Sequence, residues 1–280
     1  MKKTYVAAII LLAFAISAKA QTLTLKWKTD SVLSVPESVY LDRKTNLLYV
    51  SNIAGKSNEK DGNGFISKMS VDGKIISKEW ATGLDAPKGM GTYKNNLFVA
   101  DLGRVVIIDL LSGTITKAID VEGARFLNDV TVDDKGVVYL SDSETGKIFT
   151  LTSDKSEVYF ESSDFKRING LLSLKNGLYV ADAGNGVNYI LNGKKQLTKF
   201  AQTAQGADGI VQVGKDGYIV SSWGGEIYYV DAAGKSKKIL DTKDQKLNSA
   251  DIDFDPKTQT VFVPTFYGNS VMAYEFKKPN

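Results

Sequence analysis

The chain has 280 residues, with 35 Lys and Arg against 32 Asp and Glu, and it contains neither cysteine nor histidine. Without histidine there is no Ser-His or Cys-His dyad, no imidazole base and no imidazole metal ligand, so any metal must be held by oxygen. Without cysteine no disulfide helps the fold, and stability must come from packing and from any ion the chain binds.

The first twenty residues read as a secretory signal peptide. Lys2 and Lys3 form a basic start, residues 5–16 are an apolar run, and Ala18-Lys19-Ala20 is a small-x-small cleavage signal before Gln21. The apolar run is too short for a stable membrane anchor, and no cysteine follows it to carry a lipid. The expected product is exported, periplasmic or secreted, without a membrane anchor after cleavage. Losing Lys2, Lys3 and Lys19 leaves 32 basic and 32 acidic residues, a formal charge of zero. A neutral surface is not a nucleic-acid partner's. Residues 21–280 then suffice for one all-β domain.

Along that domain, Leu23-Thr24-Leu25-Lys26-Trp27 alternates as a strand and is expected to pair with the strand near 265–276. Between them a strand ending in a small or acidic residue recurs six times: LLYVSN (47–52), LFVAD (97–101), VVYLSD (137–142), GLYVAD (177–182), GYIVSS (217–222) and TVFVPT (260–265). Anchored on Val50, Val99, Leu140, Val180, Val220 and Val263, the intervals are 49, 41, 40, 40 and 43 residues. A strand-built period near forty predicts a six-bladed β-propeller, four antiparallel strands per blade around a central tunnel. Further strands are expected at 146–152, 225–231 and 270–276, and Asp72-Gly73, Asn176-Gly177, Asn192-Gly193 and Asp216-Gly217 supply hairpin turns. The long first interval comes from residues 53–64, a polar loop expected at the tunnel mouth, where it could serve as a lid. Its Asp61-Gly62-Asn63-Gly64 lacks the spaced acids and closing Glu of an EF-hand.

Eleven to thirteen residues before each anchor stands a second repeated position, occupied by Glu37, Lys88, Asn128, Asn169, Asp208 and Ala250. Equivalent positions in a propeller lie on one ring around the axis. Each Asn or Asp alone fits a turn before a strand. Four oxygen donors in register on four repeats point instead to a hard, all-oxygen site that suits Ca2+, magnesium less well, with another divalent cation allowed. Lys88 in the ring either pairs with Glu37, orients an anionic substrate, stabilises an oxyanion, or turns out to solvent. Asp129 and Asp251, one residue further on, are second-choice bases or backbone fasteners.

The ring resembles that of the six-bladed, calcium-dependent senescence-marker-protein/gluconolactonase family and its paraoxonase and diisopropylfluorophosphatase relatives. RINGLLSLKNGLYVAD and GADGIVQVGKDGYIVSS carry the likeness, which extends over residues 21–280. It implies that Glu37, Asn128, Asn169 and Asp208 hold a central calcium, with Asp208 as the catalytic acid or base. Three departures stand out. The histidines of paraoxonase-type sites are missing, Lys88 stands in the ring, and Phe126 occupies the place where gluconolactonases often carry a sugar-binding Arg, with Arg125 one step back. The implied function is an exported calcium-dependent hydrolase of a lactone or related ester. Asp208 and Lys88 would be its catalytic pair, and Arg125, Phe126, Trp223 and Phe266 its contacts to a small-molecule substrate. The alternative is a non-catalytic ligand- or protein-binding propeller with a structural calcium. No residue pattern indicates an oligomeric state.

Overall fold

The computed structural model describes residues 21–277. The expected signal segment, 1–20, lies outside the described residues. Strand β1 (Thr22–Lys28) opens the chain. Blade 1 follows as β2 (Pro36–Asp42), β3 (Leu47–Asn52), β4 (Gly64–Ser70) and β5 (Ile75–Leu84). Blade 2 is β6 (Pro87–Tyr93), β7 (Asn96–Asp101), β8 (Arg104–Asp109) and β9 (Ile115–Asp120). Blade 3 is β10 (Leu127–Val132), β11 (Val138–Asp142), β12 (Lys147–Thr152) and β13 (Lys155–Glu161). Blade 4 is β14 (Ile168–Leu174), β15 (Gly177–Asp182), β16 (Val187–Leu191) and β17 (Leu197–Gln202). Blade 5 is β18 (Ala207–Val213), β19 (Gly217–Ser222), β20 (Glu226–Val230) and β21 (Ser236–Asp241). Blade 6 is β22 (Asp253–Asp255), β23 (Thr260–Pro264) and β24 (Val271–Lys277), completed by β1 on its outer side. Leu25 pairs with Tyr274, so the chain's two ends share one sheet and leave the ring no open seam.

The first strand of every blade faces the axis. β2, β6, β10, β14 and β18 pack against one another in turn, and β22 closes the circle between β18 and β2. The recurring anchor strands are the second in each blade. They are buried on both faces, which is why they read as apolar runs rather than alternating ones. Burial falls outward, and the outermost strands, such as β9 and β13, are largely exposed. Apolar side chains fill the wedges between neighbouring blades. Phe98, Val105 and Ile107 of blade 2 meet Val130, Leu140 and Phe149 of blade 3. Between blades 4 and 5, Tyr179 stacks on Tyr218 at 4.8 Å while their hydroxyls hydrogen-bond at 2.7 Å. The buried aromatic rings therefore do both jobs, apolar filling and polar fastening.

The acidic residues at the ends of three anchor strands have a shared task. Asp142 accepts the backbone N–H groups of Arg125 and Phe126, and Asp182 those of Lys166 and Arg167. Asp101 does the same for Asp85 and Ala86. These three carboxylates pin the loops that enter the inner strands of blades 2 to 4, so the positions just before those strands are fixed rather than left free.

Candidate metal centre and binding cavity

Five of the six inner strands, all but β22, slip register where they near the axis. The shift falls between Pro36 and Ser38, Pro87 and Met90, Leu127 and Val130, Ile168 and Leu171, and Ala207 and Ile210. A bulge of this kind re-aims side chains and leaves backbone groups outside the ladder. Glu37, Lys88, Asn128, Asn169 and Asp208 sit inside these five bulges. The freed N–H groups find local partners where a serine precedes the end of the anchor strand: Ser38 donates to Ser51, Asp129 to Ser141, and Gly209 to Ser221. Glycine follows the ring position in three blades because the inner strands nearly touch there. A Cβ on Gly170 would lie 1.9 Å from the Asp208 carbonyl oxygen, and one on Gly89 would lie 2.6 Å from the Asp129 Cα.

All five polar ring residues line one cavity of about 520 Å³ at one mouth of the tunnel. All five are buried. Three oxygens among them lack any hydrogen-bond partner: Glu37 Oε2, Asn128 Oδ1 and Asp208 Oδ1. Buried polar atoms are rarely left so, because the desolvation penalty goes uncompensated. The neighbouring atoms are held in place. The Asn128 amide nitrogen donates to Ser143 Oγ at 2.9 Å, and that hydroxyl donates to the Ile168 carbonyl at 2.5 Å, which turns Asn128 Oδ1 into the cavity.

Charge tells the same story. Burial pushes the Glu37 carboxyl well above the usual carboxylate range, the Asp208 charge pushes it further, and Lys88 only partly offsets both. Burial and then Asp251 raise Asp208, while the Asn169 side chain beside it works in the opposite direction. Lys88 is 2% exposed. Its ammonium, pulled down to about 8 by burial against the pull of Glu37, donates to the Ala86 carbonyl at 2.8 Å and the Ser57 carbonyl at 3.0 Å. The solvent-facing alternative for Lys88 is thereby ruled out. Two carboxylates with one shared ammonium leave the ring short of positive charge. Among the described residues no group of three His, Cys, Asp or Glu side chains could hold a metal ion. A cation here would draw on two carboxylates and two amide oxygens, a set that fits calcium and suits transition metals poorly.

Around this centre the structure gathers Phe126, Trp223 and Phe266, and adds Arg167, Tyr267 and the backbone of Ser57. Ser57 and Ile53 belong to the 53–64 loop, which therefore forms part of the cavity wall. Ala250 contributes only apolar packing with Ile53, Leu102 and Phe266. Arg125 is a correction to the sequence reading. Its guanidinium points out of the cavity to Glu144 at 3.2 Å, because the backbone it rides on is clamped by Asp142 with Phe126 turned inward instead. The arginine at the mouth is Arg167, which the sequence reading missed. It stands two residues before Asn169, just as Phe126 stands two before Asn128. Following that column through the blades (Val35, Ala86, Phe126, Arg167, Gly206, Asn248) would have found it.

One layer deeper, Asp129 is buried too and Asp251 half-buried, but both are occupied. Asp129 accepts from Val130 and, across to blade 4, from the Leu171 N–H at 2.5 Å. Asp251 accepts from the Ser38 hydroxyl of blade 1 at 2.5 Å. Both act as fasteners between inner strands. Both border a second cavity of about 500 Å³, lined otherwise by later residues of the inner strands.

No family model matches this chain, and no curated protein does. Solved structures do match, over nearly its whole length. A catalytically inactive virginiamycin B lyase from Staphylococcus aureus with quinupristin is 12% identical at a TM-score of 0.64, covering 91% of this chain and 99% of that one. A streptogramin B lyase is 11% identical at a TM-score of 0.65, covering 92% and 98%. A Bacteroides thetaiotaomicron protein of unknown function is 10% identical at a TM-score of 0.69, covering 92% and 76%. These neighbours are six-bladed propellers, and the shared fold is what the similarity establishes.

Proposed function

We propose that this propeller is an exported, calcium-dependent hydrolase that opens a lactone or related ester at the ring of Glu37, Asn128, Asn169 and Asp208. The observation that carries the reading is the trio of buried, partnerless oxygens on Glu37, Asn128 and Asp208, brought from blades 1, 3 and 5 to one cavity. When bound, calcium would supply Lewis-acid polarisation of the ester carbonyl.

The chain's own side chains account for the remaining work. Two of the three Lys88 N–H groups are taken by Ala86 and Ser57, which fixes the ammonium and leaves the third for negative charge forming on a carbonyl oxygen. Asp208 takes a proton from the attacking water and returns it to the ring oxygen as the acyl C–O bond breaks. Trp223 and Phe266 hold the substrate body and restrict water at the mouth. The named neighbours include lyases, one of them inactivated by a histidine-to-alanine change. This chain has no histidine, so that catalyst is not carried over. A second reading, a binding propeller with structural calcium, draws on Ala250, which places no polar group on the ring from blade 6.

The test is hydrolysis of a lactone panel by protein stripped with chelator and then reloaded with calcium. Activity should vanish on stripping and return on reloading. Full activity in the stripped protein would overturn the proposal, and so would full activity in Asp208→Asn.

A further inference from the structure

The cavity mouth is divided by chemistry. On the side of blades 2 to 4 stand two cations and one ring. The Lys88 ammonium lies 4.5 Å from the Phe126 centroid and the Arg167 guanidinium 5.8 Å from it. On the side of blades 5 and 6, Trp223, Phe266 and Tyr267 form an edge-on cluster with centroids 4.8 to 5.9 Å apart. Trp223 is 39% and Tyr267 68% exposed, an unusual presentation for such large rings.

Neither cation is neutralised. Among the described residues no carboxylate lies within ion-pair distance of Lys88 or Arg167. The Arg125–Glu144 pair occupies the neighbouring rim and leaves Arg167 free. Once a divalent cation balances Glu37 and Asp208, two formal positive charges remain at the mouth with no counter-charge. A planar guanidinium over a ring face at the rim of a cavity, without a carboxylate partner, suits a bidentate carboxylate.

Resting on the hydrolase reading for its reactive centre, the geometry points to a substrate class: lactones or esters with a flat apolar body and a free carboxylate. The body lies against Trp223, Phe266 and Tyr267, and the carboxylate is held by Arg167, while Lys88 keeps its remaining N–H for the reacting carbonyl and adds only its positive field. Arg167 is the specificity-determining residue, and Phe126 positions both cations by its ring face.

The probe is 2-naphthoate, compared with neutral 2-naphthamide, by calorimetry at pH 7 and low salt with calcium present. The naphthoate should bind about tenfold more tightly, the size of one charge-assisted contact. Arg167→Met, an exposed substitution that spares the fold, should bring the two ligands within about twofold by weakening only the naphthoate. Trp223→Ala should weaken both. Equal affinity in the wild type, or a preference that survives Arg167→Met, would overturn the assignment. A preserved naphthoate preference in protein that hydrolyses no lactone would support the carboxylate site while refuting the hydrolase.

Discussion

Two adjacent layers of the tunnel make an instructive contrast. Glu37 and Asp208 in one, Asp129 and Asp251 in the next, are all carboxylates near the axis, a residue or so apart in equivalent positions of the blades, three buried and Asp251 half-buried. In the deeper layer the oxygens meet N–H and O–H donors from neighbouring strands. In the outer layer one oxygen on each acid meets nothing. The charge type is alike in the two layers, and hydrogen-bond satisfaction separates a fastener from a ligand. In blades 1 to 5 the bulge in the inner strand creates the difference, turning one residue to the cavity and its successor toward the next strand. Asp251 comes from the unbulged entry to blade 6.

The contrast breaks most sharply under substitution. Asp208→Asn should cut lactone turnover by about 10²- to 10⁴-fold, the usual range for a lost general base, with the fold intact by circular dichroism. Asp129→Ala should do the reverse. Stranding the buried N–H groups of Leu171 and Val130 should cost about 2–4 kcal/mol of stability, read as a lower denaturant midpoint with or without calcium. Wild-type activity with lost stability in Asp208→Asn would collapse the distinction.

Chelation and pH sharpen it. Calcium should raise the melting temperature of the wild type and leave that of Asp208→Asn nearly unchanged. In the chelated protein, Glu37, Asp208 and Asp129 have raised pKa values, to about 8 for Asp129, with burial the leading cause in each. A raised carboxyl holds its proton longer in the folded state. The stability it contributes is therefore full below the ordinary carboxylate pKa, near ~4, and is lost as pH climbs toward the folded value. Chelated protein should melt lower at pH 8 than at pH 5, and calcium should restore most at the higher pH. The opposite slope would show that these acids are already neutralised by other means. The smallest effect belongs to Arg125→Ala. Its exposed pair with Glu144 should be worth about 0–1 kcal/mol, with no change in KM.

Much of this architecture was legible before any coordinates. The anchor strands recur because each is the doubly buried second strand of a blade, and β1 joins β24 as its alternation suggested. The ring column was legible because equivalent positions in a circular array must converge, and Glu37, Lys88, Asn128, Asn169 and Asp208 do line one cavity. Side-chain direction in the entering loops was not legible. Whether Arg125 or Phe126 faces inward depends on how Asp142 grips both N–H groups, a long-range contact that no local pattern encodes. Arg167 was legible only through its column, two residues before each ring position, and its inward direction is set by the Asp182 grip on its N–H.

Anomalous diffraction from crystals grown with calcium tests the central claim most directly. A single peak is predicted within the ring, with Glu37, Asn128, Asn169 and Asp208 oxygens at calcium distances of about 2.3–2.6 Å. A ring without density at saturating calcium, or an ion seated on Asp129 and Asp251 instead, would contradict it.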